Sequence, residues 1–494
     1  MHSFPARRVI VPAAVLAVLA VLVIQRASAA PACAFDAPSG VMTVTLGPGE
    51  STTVSRQLDT IAVDGVPCAI ATVMNTDTIT VTGTGAGNQL TIDLSGGALA
   101  PGKTAEADAA DSEIEWTVDL GQNGTVHVLG GPGSDTITVG GGGLNLNATE
   151  AVGDADVVLA NTPMIAIDGG GGDDKLSAAG GQGVGAPVGG STLSGGDGAD
   201  TLIEGTGSDQ LDGGAGTDTM DFRGSTQVEI ASMVAGIATV NGTASTTFTS
   251  IENVNGSPGD DHIVGDGNPN VLAGGDGNDV IEGAAGDDVL TGGQGTDTVD
   301  FAGATQGVVV DLAAGTGVGE GSDTFSGFEN FSGSAFADTI TGDDTANAIA
   351  AGDGNDVVDG GLGDDQLMGG AGVDTLDFGS SVDGVQVDLR AGTAAGEGAD
   401  TVAEFENVRG SALDDDIMGD DGPNTISGGG GNDMIHGRAG ADIERGGDGQ
   451  DALFGGDDDD VLRSGAGQDQ ILGGRGDDHC SGGPDPDAWV DCES

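Results

Sequence analysis

The sequence predicts an all-β chain: a solenoid of short stacked coils, with a β-rich region at its N-terminal end. Three observations predict it. A nine-residue unit recurs in register, a 77-residue module recurs above it, and the composition is wrong for one large core. The 494 residues include 96 glycines, no tyrosine and only 3 % aromatics. Net charge is −66, from 79 acids against 13 bases. Such a polyanion repels nucleic acid and anionic membranes, which are bound through Lys and Arg, and metal cations are its natural partners. The acids are periodic rather than blocked, which sets the chain apart from a disordered acidic tail.

The elements follow in order. Residues 1–29 read as a signal peptide: Arg7 and Arg8, an apolar run from Val9 to Ile24, then an Ala27-x-Ala29 exit. Cleavage there implies an exported, extracellular chain, and no later stretch is apolar enough to span a bilayer. Four cysteines suit that compartment. They allow three pairings, and the expected one is local, Cys33 with Cys68 and Cys480 with Cys492. Residues 30–194 are rich in Thr, Val and Gly, and "DTITVTG" and "QLTIDLSGG" alternate as strands. They read as a degenerate start of the solenoid or a small β cap. Trp116 is the aromatic to watch there.

The repeat then takes over. Nonapeptides fill 195–221, 256–300, 333–377 and 410–481, with isolated matches at 130–138 and 169–177. The second array runs GSPGDDHIV, GDGNPNVLA, GGDGNDVIE, GAAGDDVLT, GGQGTDTVD. Among 23 units, position six is Asp in 20; the others are Asn270, Asn347 and Asn424, each second in its array. Spacers occupy 222–255, 301–332 and 378–409, and residues 482–494 form a disulfide-closed cap. The spacers carry Glu-Asn pairs at 252, 329 and 406, 77 residues apart, and alternating apolar residues (Val308, Val310, Leu312) that read as strands.

The chemistry of one unit follows from its residues. The first six, GGxGxD, are turn formers, and the last three make a short strand whose middle residue points inward. Two units close one flattened coil, and coils stack at about 4.8 Å. Position-six carboxylates two units apart then stand about 5 Å from one another, and a bare pair repels by about 3 kcal/mol at an effective dielectric of 20. One inward aliphatic per nine glycine-rich residues is a poor counterweight, so the column calls for a cation. The turns offer carboxylates and carbonyls, oxygen only and flexibly held, which suits calcium better than magnesium or zinc. Folding and metal binding then become one event.

GGxGxDxUx resembles the nonapeptide of the RTX, or haemolysin-type, calcium-binding repeat proteins, over about half the mature chain. The resemblance implies a right-handed parallel β-roll or β-helix holding several Ca2+ ions. It implies as ligands the carboxylates of Asp200, Asp218, Asp261, Asp279, Asp288, Asp297, Asp338, Asp356, Asp365, Asp374, Asp415, Asp433, Asp442, Asp451, Asp460, Asp469 and Asp478. Carbonyls of Gly275, Gly277, Gly293, Gly295, Gly361, Gly363, Gly370, Gly372, Gly429, Gly431, Gly447 and Gly449 complete the set. The chain departs from the pattern at Phe336 and Leu413, which replace the fourth-position glycine, at the three Asn units, and at Glu444, which sits at an inward position. Its N-terminal signal also differs from the C-terminal export signal of many RTX proteins.

The sequence carries no HExxH, GxSxG or phosphate loop, and its five histidines are scattered, with His262 and His436 at repeat positions that face solvent. Arg475-Gly476-Asp477 sits in an ordinary repeat turn. The function expected is that of a secreted calcium-binding repeat protein, folded by extracellular calcium, with a structural or surface role and no catalysis. Two alternatives stay open: an adhesin-like module that contacts carbohydrate or a cell surface through 30–194, and an exported enzyme with an unrecognised site.

Overall fold

A computed structural model describes residues 31–57, 60–72, 74, 76, 78–97, 115–146, 157–161, 164–180, 190–242 and 244–492; the expected signal segment lies outside them. The described chain is β throughout, with a single three-residue 3-10 turn at Met233–Ala235. Successive nonapeptides contribute strands alternately to two facing walls. Val271–Asp276 pairs in parallel with Val289–Gln294 in one wall, and Val280–Glu282 pairs with Thr298–Asp300 in the other. Partners lie one full coil apart, as Val280↔Thr298 and Leu272↔Leu290. The fold is the parallel β-roll that the repeat spacing predicts.

Between the walls lies the core. Position-eight side chains fill it from both sides: Ile263, Leu272, Ile281, Leu290 and Val299 are at most 1 % exposed, and their counterparts in the later arrays are equally enclosed. Each such residue stacks on its own kind one coil away, which is how one aliphatic per nine residues builds a continuous core. Glu444 takes this inward place between Ile426 and Leu462, and burial pushes its carboxyl well above the ordinary range. One expectation needs correcting. Many strands are longer than three residues and run on into the glycine pair of the next turn, because backbone groups there also pair across coils, as Gly275↔Gly293.

The spacers are antiparallel meanders inserted into one wall. In the second, Val309–Asp311, Thr316–Val318 and Ser322–Ser326 fold back on each other; the last pairs with the preceding array and the first with the following one. The opposite wall continues uninterrupted from Thr298–Asp300 to Asn330–Ser332 to Ala348–Gly354. A meander of the same topology, at Thr136–Gly140, Gly143–Asn145 and Val157–Ala160, has no spacer signature in the sequence. Insertions alternate between the walls, since six half-coils, an even number, lie between one and the next. The core turns aromatic at the spacers, where Phe222, Phe248, Phe301, Phe325, Phe328, Phe331, Phe378 and Phe405 are buried.

The N-terminal region continues both walls. Val41–Leu46, Thr78–Gly83 and Glu115–Asp119 stack in parallel in one wall, and Ser51–Gln57, Gln89–Asp93 and Thr125–Leu129 in the other. Trp116 is 1 % exposed in this core, so it is a packing residue. Each disulfide ties one wall to the other at an end of the stack. Cys33–Cys68 joins Ala32–Asp36 to Val66–Thr72, and Cys480–Cys492 joins the strand His479–Ser481 to the segment just after Ala488–Val490. The second closes a loop with a sequence separation of 12, so Cys492→Ser should weaken the terminal coil by about 3 kcal/mol. Amide exchange would then quicken in 470–490 alone; acceleration along the whole chain would contradict the local role. Among the described residues, no helix is long and apolar enough to cross a membrane.

Candidate metal centres

Each edge of the roll carries a column of position-six side chains. Asp279 sets the pattern. Its Oδ1 accepts the backbone N–H of Asp261, one coil back, at 2.8 Å, while its own N–H donates to Asp297 Oδ1 at 2.8 Å. The carboxylates are therefore clipped to their neighbours by the backbone rather than simply facing each other. The second oxygen is left over: Asp279 Oδ2 is buried and has no hydrogen-bond partner. It lies so close to the first residue of its own turn that a Cβ on Gly274 would stand 2.1 Å from it, which is why that position is glycine.

The same orphaned Oδ2 recurs in Asp200, Asp218, Asp288, Asp297, Asp356, Asp365, Asp374, Asp433, Asp442, Asp451, Asp460, Asp469 and Asp478. Asp261, Asp338 and Asp415 differ. A serine at the second position of their turns (Ser257, Ser334, Ser411) donates its hydroxyl to Oδ1 at 2.7–2.8 Å and its N–H to Oδ2, so both oxygens are satisfied from within. The glycines expected as carbonyl donors all take positive φ, which lets successive turns nest. The approach is closest at the fourth position: a Cβ on Gly295 would stand 1.6 Å from Gly277 O.

Burial pushes these carboxyls up from their ordinary 3.8. Asp279, Asp365, Asp433 and Asp442 rise to about 7, and Asp288, Asp356 and Asp460 to about 6. Loss of hydration is the main cause, and neighbouring carboxylates add to it, while the backbone N–H bond opposes it. An unpaired buried carboxylate is costly, and one cation beside each orphaned oxygen removes the cost.

The columns do not stop at the spacers. One runs Asp174, Asp200, Asp218, Glu252, Asn270, Asp288, Asp323; another runs Asp261, Asp279, Asp297, Glu329, Asn347, Asp365, Asp400. A third repeats the order from Asp338 through Glu406 and Asn424 to Asp460. The spacer Glu-Asn pairs thus gain a role. Glu329 accepts the Asp297 N–H at 2.8 Å through its carboxylate and the Asn347 amide at 2.8 Å through its carbonyl. The Asn side chain is satisfied on both sides, since Asn347 Oδ1 also accepts from Asp343 N–H at 2.9 Å. Asn347→Asp should therefore destabilise the calcium-loaded chain by roughly 1–3 kcal/mol, through a lost donor and an added buried charge. Urea unfolding at a fixed, saturating calcium concentration would read it, and an unchanged midpoint would refute it.

Asp174, Asp209, Glu252, Asp323, Glu329, Asp400, Glu406 and Asp487 lie in the columns without having been named as ligands, although Asp174 and Asp209 stand at position six of recognised units and the three Glu residues recur every 77 residues. A signal existed for some of them: "GEGSD" at 319–323 and "GEGAD" at 396–400 hide a GxGxD inside the spacers, and "GGPDPDAWV" at 482–490 is a degenerate nonapeptide. His436, expected to face solvent, is half-buried and lies flat on Phe454, with ring centroids 4.4 Å apart.

Among the described residues, no three His, Cys, Asp or Glu side chains converge on a point, so backbone carbonyls must supply much of any coordination sphere. Carboxylate and carbonyl oxygen without nitrogen or sulfur is a donor set for calcium. When bound, calcium supplies the positive charge that the orphaned oxygens lack. No curated protein matches the chain. A family model described as the RTX calcium-binding nonapeptide repeat, in four copies, matches residues 189–223, 264–299, 323–358, 341–376, 409–444 and 445–480. Over 189–480, the chain belongs to the RTX calcium-binding nonapeptide-repeat family.

Proposed function

We propose that this is an exported protein whose repeats fold around extracellular calcium and whose role is structural or at a surface, without catalysis. The observation that carries the reading is the ladder of buried, partnerless Oδ2 atoms. A fold with that many uncompensated carboxylates is unfavourable without cations and favourable with them. Extracellular calcium, at millimolar levels, lies in the range that extracellular modules bind. The two wall-to-wall disulfides fit an oxidising compartment. In this reading the orphaned aspartates and the turn carbonyls are the calcium ligands. The serine-clipped Asp261, Asp338 and Asp415 are weaker contributors, and the arrays and spacers are structural modules. The adhesin alternative loses its one marked aromatic, because Trp116 is in the core.

Two measurements test it together. Expression of the full chain, with analysis of the medium, should recover a mature protein beginning after Ala29. Equilibrium dialysis of that protein should find several calcium ions per chain at about 1 mM. A chain retained inside the cell, or one binding no calcium at that concentration, would overturn the proposal.

A further inference from the structure

At the end of each of the first three arrays, the last turn on one edge stacks on a turn of the spacer rather than on another nonapeptide. In the second module the turn of Asp288 meets that of Asp323, and the Asp288 N–H donates to Asp323 Oδ1 at 3.0 Å. In the third, Asp365 meets Asp400 in the same way at 3.1 Å. The spacer turns pack as tightly as repeat turns. A Cβ on Gly321 or Gly398 would stand 1.3 Å from the carbonyl oxygen of Gly286 or Gly363, against 1.4 Å for Gly372 on Gly354 within an array. Asp288 Oδ2 and Asp365 Oδ2 are buried there without partners, and both residues are 1 % exposed.

The first module breaks the pattern and repairs it. Thr246 stands where Asp323 and Asp400 stand, so Asp209 donates its N–H to an uncharged hydroxyl, at 3.4 Å. One position in the facing turn has changed in the opposite direction. Glu204 occupies the first place of its unit, where the other two modules have Gly283 and Gly360. Glu204 is 2 % exposed; its Oε1 accepts from Thr246 Oγ1 at 3.5 Å, and its Oε2 is buried without a partner. The carboxylate lost from the spacer reappears on the array. Two buried carboxylates at the junction are thus retained by different residues in different copies, which a purely structural contact has no reason to demand.

We propose that each array–spacer junction is a divalent-cation site in its own right, held by Asp288 with Asp323, by Asp365 with Asp400, and by Asp209 with Glu204. The ion it takes is calcium, since its side-chain donors, like those of the columns, are all oxygens. The inference rests on the calcium reading of the repeats and extends it to the three places where a column passes from an array to a spacer.

Crystals of the full chain grown in calcium, with anomalous difference maps, test it. Peaks are expected at all three junctions as well as along the columns. Glu204→Gln should remove the peak at the first junction and leave the other two, and the Glu204→Gln/Thr246→Asp double variant should restore it. Asp323→Asn should act likewise at the second. Ions along the columns with none at the junctions would overturn the proposal, as would a first-junction peak that survives Glu204→Gln. A map with no calcium anywhere would instead overturn the broader reading of the repeats.

Discussion

Stripped of calcium, the chain should lose most of its β signal by circular dichroism and regain it in a steep titration. The reason is cumulative. Most coils through the arrays present at least one buried carboxylate oxygen without a partner, from Asp200 to Asp478; the exceptions pair a serine-clipped Asp with an Asn, as Asp261 with Asn270. Leaving one such group unsatisfied costs about 1–3 kcal/mol, and more when it is charged. A whole domain is stable by only about 5–15 kcal/mol, so a column of such groups is enough to prevent folding. Because each coil rests on its neighbours, the gain on binding should propagate along the stack and appear cooperative. A flat response up to about 10 mM calcium, well above the range of extracellular modules, would contradict coupled folding.

The calcium-free chain should also gain structure on acidification, the reverse of ordinary acid denaturation. Folded Asp279, Asp365, Asp433 and Asp442 titrate near 7 instead of near 3.8. Between those values the folded state holds more protons than the unfolded one, so stability falls as pH rises. Below the ordinary value both states are protonated and the full packing stability is present. It is lost progressively as pH climbs through about 4 to about 7 and the column ionises. Proton and calcium neutralise the same oxygens, so in the presence of calcium the midpoint of the titration should move to higher calcium as pH drops toward 5 or so. Urea unfolding in chelator at several pH values reads the first effect. Stability rising with pH there would remove the carboxylate column as its cause.

Much of this was legible in the sequence because the repeat encodes its own packing. Ile281 and Val299 had to point inward, since a three-residue strand between two glycine turns offers only its middle side chain to the core. The acidic edges were legible for the same reason. The path of each column was not. Its members come from every second unit, and the separations are irregular: 18 residues within an array, 26 from Asp174 to Asp200, 32 from Asp297 to Glu329, 35 from Asp288 to Asp323. Only the stacked backbone reveals that Glu329 and Asn347 continue what Asp297 begins. The serine clips on Asp261, Asp338 and Asp415 were equally hidden, because GS looks like an ordinary variant of GG until the hydroxyl is seen to reach the carboxylate. The meander at 136–160 was missed for want of the 77-residue echo that betrays the others.

The alternation of the inserted meanders balances the two walls along the stack. Each insertion adds two strands to one wall alone, about 10 Å at the ordinary strand spacing, a wedge that would, uncompensated, bow the axis away from that side. Since Gly143–Asn145 wedges one wall, Ile237–Val240 the other, Thr316–Val318 the first again and Thr393–Ala395 the second, successive bows oppose each other. Deleting a single nonapeptide from an array would set two neighbouring wedges on the same side. The filament would then arc where it had compensated, so the parity of the repeat count steers its direction.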